Sequence, residues 1–241
     1  MPRLWFQVRR YVILFEGRTG SSYLTELFWS HPRIRARSEG LAAIYHDGGT
    51  AAEQLCWARA ALTPPVLGRF SAVGFKTKVH EMFDPRRMAE LFRAKNAHVF
   101  HMQRRNRIKL LLSEINALRL SQKTGQWNIY REEDRLPPVR VDPEEFRFLL
   151  KGREEREQKL TDYVAALGLP TLPVFYEDLV REKEKTLDRI FSFLGIEPRA
   201  LRAKMIKHNS EDLREVIENF DDLRSRFVGT PYEPMFDEGA K

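Results

Sequence analysis

The sequence predicts an α/β fold, a central parallel sheet with helices on both faces that forms three layers in a single domain over residues 1–241. Three observations lead there. Short apolar runs rich in Val, Ile, Phe and Tyr alternate with longer stretches of helical period, the pattern of buried strands joined by crossover helices. The helical stretches carry readable start and stop signals. The 241 residues, 42% hydrophobic and 31% charged, are enough to bury one sizeable core. Thirteen glycines and 13 prolines without an internal repeat exclude collagen-like, low-complexity and wholly disordered chains.

In chain order, strands are predicted at 11–16, 72–78, 97–103 and 171–176, with a further short strand between His31-Pro32 and Glu39. The first run follows Arg9 and Arg10 and ends at Glu16, too short for a signal-peptide core or a membrane span. Thr50 with Glu53 makes a capping box, and Asp84-Pro85 and Asp142-Pro143 each pair an N-cap with proline at the first helical position. Gly168 and Gly195 stand where helices should stop. From Phe146 the positions Leu149, Leu150, Leu160, Tyr163, Val164 and Leu167 keep one apolar stripe, which reads as a long surface helix. Residues 124–141, with Gly125, Pro137 and Pro138, read as a loop, mobile over a site, rather than a domain linker.

Lys plus Arg is 41 against 34 Asp plus Glu, a formal charge of +7 that favours an anionic ligand. Cys56 is the single cysteine, so no intrachain disulfide forms and a reduced cytoplasm is the expected compartment. Between Leu55 and Trp57 in a helical pattern it reads as a buried thiol without a catalytic role.

The most informative segment is YVILFEGRTGSSYLTELF, where a buried strand runs into Gly17, Arg18, Thr19, Gly20, Ser21 and Ser22 and then into a helix. Glycines let the backbone approach a ligand, the first helical N–H groups and the helix dipole favour negative charge, and hydroxyls add donors. Taken alone, such a turn also serves as a plain strand-to-helix connection. Ser21 follows Gly20 where a Walker motif needs lysine, which disfavours an ordinary Mg-nucleotide triphosphatase. After AHVFHMQ comes Arg104-Arg105-Asn106-Arg107, with Ser113 eight residues past Arg105. Eight helical residues advance about 12 Å and about 800°, so with Arg105 just before the helix the two side chains can converge on one phosphate. The arginine cluster by itself reads rather as a solvated or nucleic-acid-binding face.

GRTGSSYL resembles the 5′-phosphosulfate loop of sulfotransferases that use 3′-phosphoadenosine-5′-phosphosulfate (PAPS), in the arginine form of bacterial and Golgi carbohydrate enzymes. RRNRIKLLLSEINA resembles their 3′-phosphate site, and HPRIRARSEGL, GFKTK, FYEDLVREKEKTLDRIFSFLGI and IKHNSEDLREVIENFDDLRSRFVGT extend the likeness over nearly the whole chain. The resemblance implies a P-loop-like domain that takes PAPS and releases PAP without a metal. It assigns residues 17–22 to the phosphosulfate, Arg105 and Ser113 to the 3′-phosphate, Tyr23 or Tyr176 to the adenine, and Lys207 to a closing basic segment. Arg18 stands where many relatives have lysine, and since arginine is not an acid its role there is electrostatic.

Two residues compete to take the acceptor proton. Glu39 resembles the catalytic glutamate of the bacterial carbohydrate enzymes. His80, in Lys76-Thr77-Lys78-Val79-His80, resembles the Lys-Thr-His segment of cytosolic members but is offset by two residues. Glu39 is favoured over an exposed strand-end carboxylate, and His80 weighs against a surface histidine. Lys76 serves the sulfonate in flight, against the reading of a plain edge lysine. His31 shapes the turn with Pro32, and Trp127 is either a core plug or a sugar-stacking platform. His98 and His101, three apart on a strand, face opposite sides, so no metal site is expected. The expected acceptor is a hydroxyl-bearing small molecule or carbohydrate, with no nucleic-acid partner. Nothing in the sequence encodes an oligomeric state. A small-molecule kinase of P-loop type, or a non-catalytic nucleotide- or nucleic-acid-binding protein, stand as the alternatives; the kinase lacks a P-loop lysine and a Walker-B context.

Overall fold

A computed structural model describes residues 8–66, 69–129, 131–204 and 212–238. Its elements are β1 (Arg9–Leu14), α1 (Ser21–Trp29), β2 (Ile34–Arg37), α2 (Gly40–His46), α3 (Ala51–Ala61), β3 (Ala72–Thr77), α4 (Pro85–Ala94), β4 (His98–Gln103), α5 (Arg107–Thr124), α6 (Pro143–Leu167), β5 (Thr171–Phe175), α7 (Tyr176–Arg181), α8 (Lys183–Leu194), α9 (Phe220–Ser225) and α10 (Glu233–Asp237). Three 3-10 turns lie at Val79–Glu81, Glu132–Asp134 and Leu213–Glu215. The chain divides into two compact units, Met1–Gln103 with Gln158–Ala203, and Arg104–Glu157 with Lys204–Lys241.

The first unit holds a five-stranded sheet in the order β2-β3-β1-β4-β5, parallel throughout. Because β1 is central, its alternating side chains serve two cores. Tyr11, Ile13 and Phe15 pack with α1 and α8 on one face, where Tyr11, Phe28 and Phe100 meet edge to face at 5.4–5.8 Å. Val12 and Leu14 pack with α3, α4 and the end of α6 on the other. Burial on both faces is what the unbroken apolar runs predicted. His98 and His101 do face opposite sides. His98 packs on Phe193, whereas His101 lies within hydrogen-bond distance of Gln103, Nδ1 to Nε2 at 2.9 Å.

The predicted helix signals operate as read. Thr50 and Glu53 form a reciprocal capping box, and Asp84 caps α4 ahead of Pro85. Gly195 ends α8 in the left-handed conformation that L side chains disfavour. Cys56 corrects the sequence reading, for it is exposed. The phase of α3 is set by Gln54, Ala58 and Ala61, which are buried, and that phase turns position 56 outward although its neighbours Leu55 and Trp57 touch the core. Tyr176 also differs, because it leaves the strand and opens α7.

In the second unit Asn106 caps α5 by accepting from Lys109 N at 2.8 Å, and Asp142 accepts from Glu144 N and Glu145 N at the start of α6. Ile108, Leu111, Leu112, Phe146 and Leu150 make a core with Leu213, Ile217, Leu223, Phe227 and Phe236. The described residues of segment 124–141 are largely irregular, as the composition predicted. Gly125 closes α5 with φ +74°, a 3-10 turn follows, and Val139 pairs with Ile217. Trp127 is 55% exposed, so it is not a core plug. Among the described residues no helix is long and apolar enough to cross a membrane.

Candidate active site

Ligands of open parallel sheets lie outside the carboxyl ends of the strands, and there β1 leads through Phe15 and Glu16 into the loop 17–22. Arg18 takes φ +63°, a left-handed conformation that costs a side-chain-bearing residue energy and is held only where the surroundings impose it. Gly20 follows at φ +85° as the N-cap of α1, with no side chain capping the helix. A Cβ on Gly20 would come within 2.6 Å of the Tyr176 ring, so glycine meets both the conformation and the close approach of Tyr176. Thr19 Oγ donates to Glu16 O at 2.8 Å. Its hydroxyl therefore braces the loop, where the sequence had counted it as a ligand donor. Ser21 is buried. Tyr23 packs against the apolar cluster around Tyr11.

Behind the loop stands Lys76, on an internal strand and only 3% exposed, which removes the edge-lysine reading. Its Nζ donates to Ser22 Oγ at 2.7 Å and lies 2.8 Å from Glu39 Oε1. Glu39 Oε2 meets Lys78 at 3.3 Å, and Lys78 meets Glu81 at 2.6 Å. Both ammonium groups lie over the Phe15 ring, at 5.3 and 5.6 Å, a favourable place for a cation. Burial pushes the Lys76 ammonium below its ordinary value; Glu39 opposes this and the charges of Lys78 and Arg18 add to it. For Glu39 burial acts upward, yet Lys76 and Lys78 outweigh it and hold the carboxyl below its ordinary value. At neutral pH this carboxyl is an anion.

Glu39 is placed by its backbone. It is the N-cap residue of α2, and a Cβ on the next residue, Gly40, would come within 2.1 Å of the Trp57 indole. Trp57 can therefore pack under the first turn of α2 only because position 40 is glycine. His80, on the 3-10 turn after β3, has its Nδ1 3.4 Å from Glu16 Oε1 and is half exposed. The structure thus gathers Arg18, Ser22, Lys76 and Glu39, and ties His80 to the loop through Glu16. His31 is buried and its Nδ1 accepts from Arg33 N at 3.1 Å, the turn-shaping role predicted for it.

Sequence reasoning missed Glu16, Lys78 and Glu81. The alternation Lys76-Thr77-Lys78 at a strand end was the available signal, because residues two apart share a face.

In the second unit Arg105 is exposed in the turn before α5, and Ser113 is buried on α5. Within the arginine cluster Arg107 pairs with Glu154 and Glu157, each at 3.0 Å. Lys207 lies outside the described residues. No group of three or more His, Cys, Asp or Glu arranged for a metal occurs among the described residues.

Comparison with known proteins gives a consistent result. Nodulation protein H of Rhizobium tropici is 26% identical over 238 residues, covering 94% of this chain and 92% of that protein. Nodulation protein H of Rhizobium meliloti is 24% identical over 245 residues, covering 95% of each. The crystal structure of a sulfotransferase from Alicyclobacillus acidocaldarius shares the fold, with a TM-score of 0.50 at 15% identity over 96% of this chain and 95% of that one. No protein-family model matches. The sheet and the loop that follows β1 share the fold of the sulfotransferases. By sequence the chain aligns over nearly its full length with the two rhizobial Nodulation protein H chains.

Proposed function

We propose that the chain transfers the sulfonate of PAPS to an acceptor hydroxyl on a carbohydrate or glycolipid, with Glu39 as the proton acceptor. The observation that carries this reading is Lys76, one buried ammonium that touches both Ser22 of the glycine loop and Glu39. A sulfonate cradle and a proton acceptor are thereby neighbours. The residues present fit a phosphosulfate: an uncapped helix N-terminus after Gly20, a left-handed Arg18, and a cation behind the loop. Ser22 accepts from Lys76, which leaves its own O–H proton for an anionic oxygen.

Each residue then has a defined task. The N–H groups of the loop and the start of α1 hold the 5′ end, and Arg18 and Lys76 offset the charge that grows on the bridging oxygen. Glu39 takes the hydroxyl proton as the acceptor oxygen bonds to sulfur and the sulfur–oxygen bond to PAP breaks. The Tyr176 ring, against Gly20, is assigned to the adenine in preference to Tyr23, which is occupied in the core. Arg105 and Ser113 are assigned to the 3′-phosphate on the resemblance of their segment. A reduced cytoplasmic setting fits the exposed single thiol.

Calorimetric titration in EDTA tests this. PAP is expected to bind at micromolar concentration or below and better than ATP does. Arg105→Ala should cost about 1.5–3 kcal/mol of PAP affinity, the worth of a charge-assisted hydrogen bond, while adenosine 5′-phosphosulfate is little affected. ATP with Mg²⁺ binding far better than PAP would replace this reading with the kinase.

A further inference from the structure

We infer that Tyr45 and Phe83 form a stacking platform for a linear oligosaccharide acceptor, holding a sugar ring beyond the one that receives the sulfonate. This deepens the carbohydrate reading above and rests on it. Both side chains are large, apolar and 40–41% exposed. Their rings pair at 5.1 Å with planes 36° apart, and the His46 ring stands 5.4 Å from that of Tyr45. A pair of half-exposed aromatic rings offers π-faces to a flat ligand whose own faces carry C–H groups, as a pyranose does.

The pair is built into the active-site frame. Tyr45 is on α2, whose N-cap is Glu39. Six helical residues separate them, about 9 Å along the axis, which is farther than one sugar ring reaches. Phe83 is fixed by Gln54, 1% exposed. The Gln54 amide accepts from Phe83 N at 2.9 Å and donates to Glu81 O at 2.7 Å and Leu41 O at 2.9 Å. One buried side chain thus ties α2, the 3-10 turn and Phe83 together, and a preorganised surface loses less on binding.

The polar groups nearby also suit a sugar. From Glu39 the charges continue through Lys78 to Glu81, and His46 Nε2 stands 4.0 Å from Glu81 Oε1, beyond hydrogen-bond range. The His46 side chain is 68% exposed, so its ring nitrogens are open to a sugar hydroxyl. Aromatic faces bordered by a few fixed polar groups are the general composition of a site for a neutral, hydroxyl-rich ligand.

The test is an array of linear oligosaccharides of several linkage families, one to five sugars long, probed with full-length protein in saturating PAP. In at least one family, binding should rise from monomer to trimer. The double variant Tyr45→Ala/Phe83→Ala should lose about tenfold of the oligomer affinity, the scale of two aromatic contacts, and keep monomer binding and PAP affinity. The exchange Tyr45→Phe/Phe83→Tyr should restore the gain with length. An array silent in every family, length dependence unchanged in the double variant, or ring-dependent binding of 4-nitrophenol in place of sugars would overturn the inference. Failure of wild-type protein to bind PAP would instead overturn the sulfotransfer reading, so the two failures are distinguishable.

Discussion

Two charged networks, one in each unit, use similar residues to different ends. In the second unit Arg153 is 1% exposed, with Nε 3.1 Å from Glu157 and Nη1 3.4 Å from Glu114, while Arg107 takes Glu154 and the other oxygen of Glu157. Planar guanidinium groups meet carboxylates of α5 and α6 in fixed, fork-like geometry, and the result ties helix to helix. In the first unit the cations are lysines. Lys76 divides its donors between a hydroxyl and Glu39, Arg18 adds like charge, and one oxygen of Glu81 has no hydrogen-bond partner. Arginine suits a permanent pairing, whereas a lysine ammonium is a point charge that can pass from Glu39 to an arriving anion. One network stabilises structure, and the other, on the function proposed above, holds cationic charge for a ligand.

The sharpest way to break this contrast is Glu39→Gln. The amide still offers Lys76 an oxygen, so the fold should persist, but turnover should fall roughly 10²–10⁴-fold, the usual worth of a general base; His80→Asn, measured alongside with saturating PAPS, should do less. In the second unit the loss should appear as stability. Arg153→Ala removes a large buried side chain and should cost about 2–5 kcal/mol in urea unfolding, with turnover per folded molecule unchanged. Arg107→Ala should be milder still, about 1 kcal/mol or less for a partly exposed ion pair, and should leave PAP affinity intact where Arg105→Ala does not. If Arg107→Ala weakened PAP as much as Arg105→Ala, the division of the arginine cluster would be wrong.

Much of the first unit was legible because its chemistry is local. The runs YVILF and AVGF declare strands buried on both faces, glycines mark the loop, and Thr50 with Glu53 or Asp84 with Pro85 mark helix starts within four residues of chain. Arg18, Ser22, Lys76 and Glu39 were candidates chiefly through the resemblance of their short segments, and the structure brings Ser22, Lys76 and Glu39 into contact. What was not legible depends on folding back. Glu81 returns to Lys78 and Gln54 to Phe83 only once the 3-10 turn has formed, and Glu16 meets His80 across 64 residues of sequence. Cys56 was misread because its neighbours are apolar, while the phase of α3 is decided by small residues farther along the helix.

The pH dependence of kcat/KM tests the central claim most directly, since it reports groups of the free enzyme. Burial raises the Glu39 carboxyl, but Lys76 and Lys78 outweigh it and hold the group below its ordinary value. Catalysis needs the ionised form, so activity should persist through mildly acid pH and fall only as pH drops through that lowered value. The account predicts an acid limb below about 4.3, the ordinary glutamate value, which is unchanged in His80→Asn. An acid limb that vanishes in His80→Asn would contradict it and make the histidine the base.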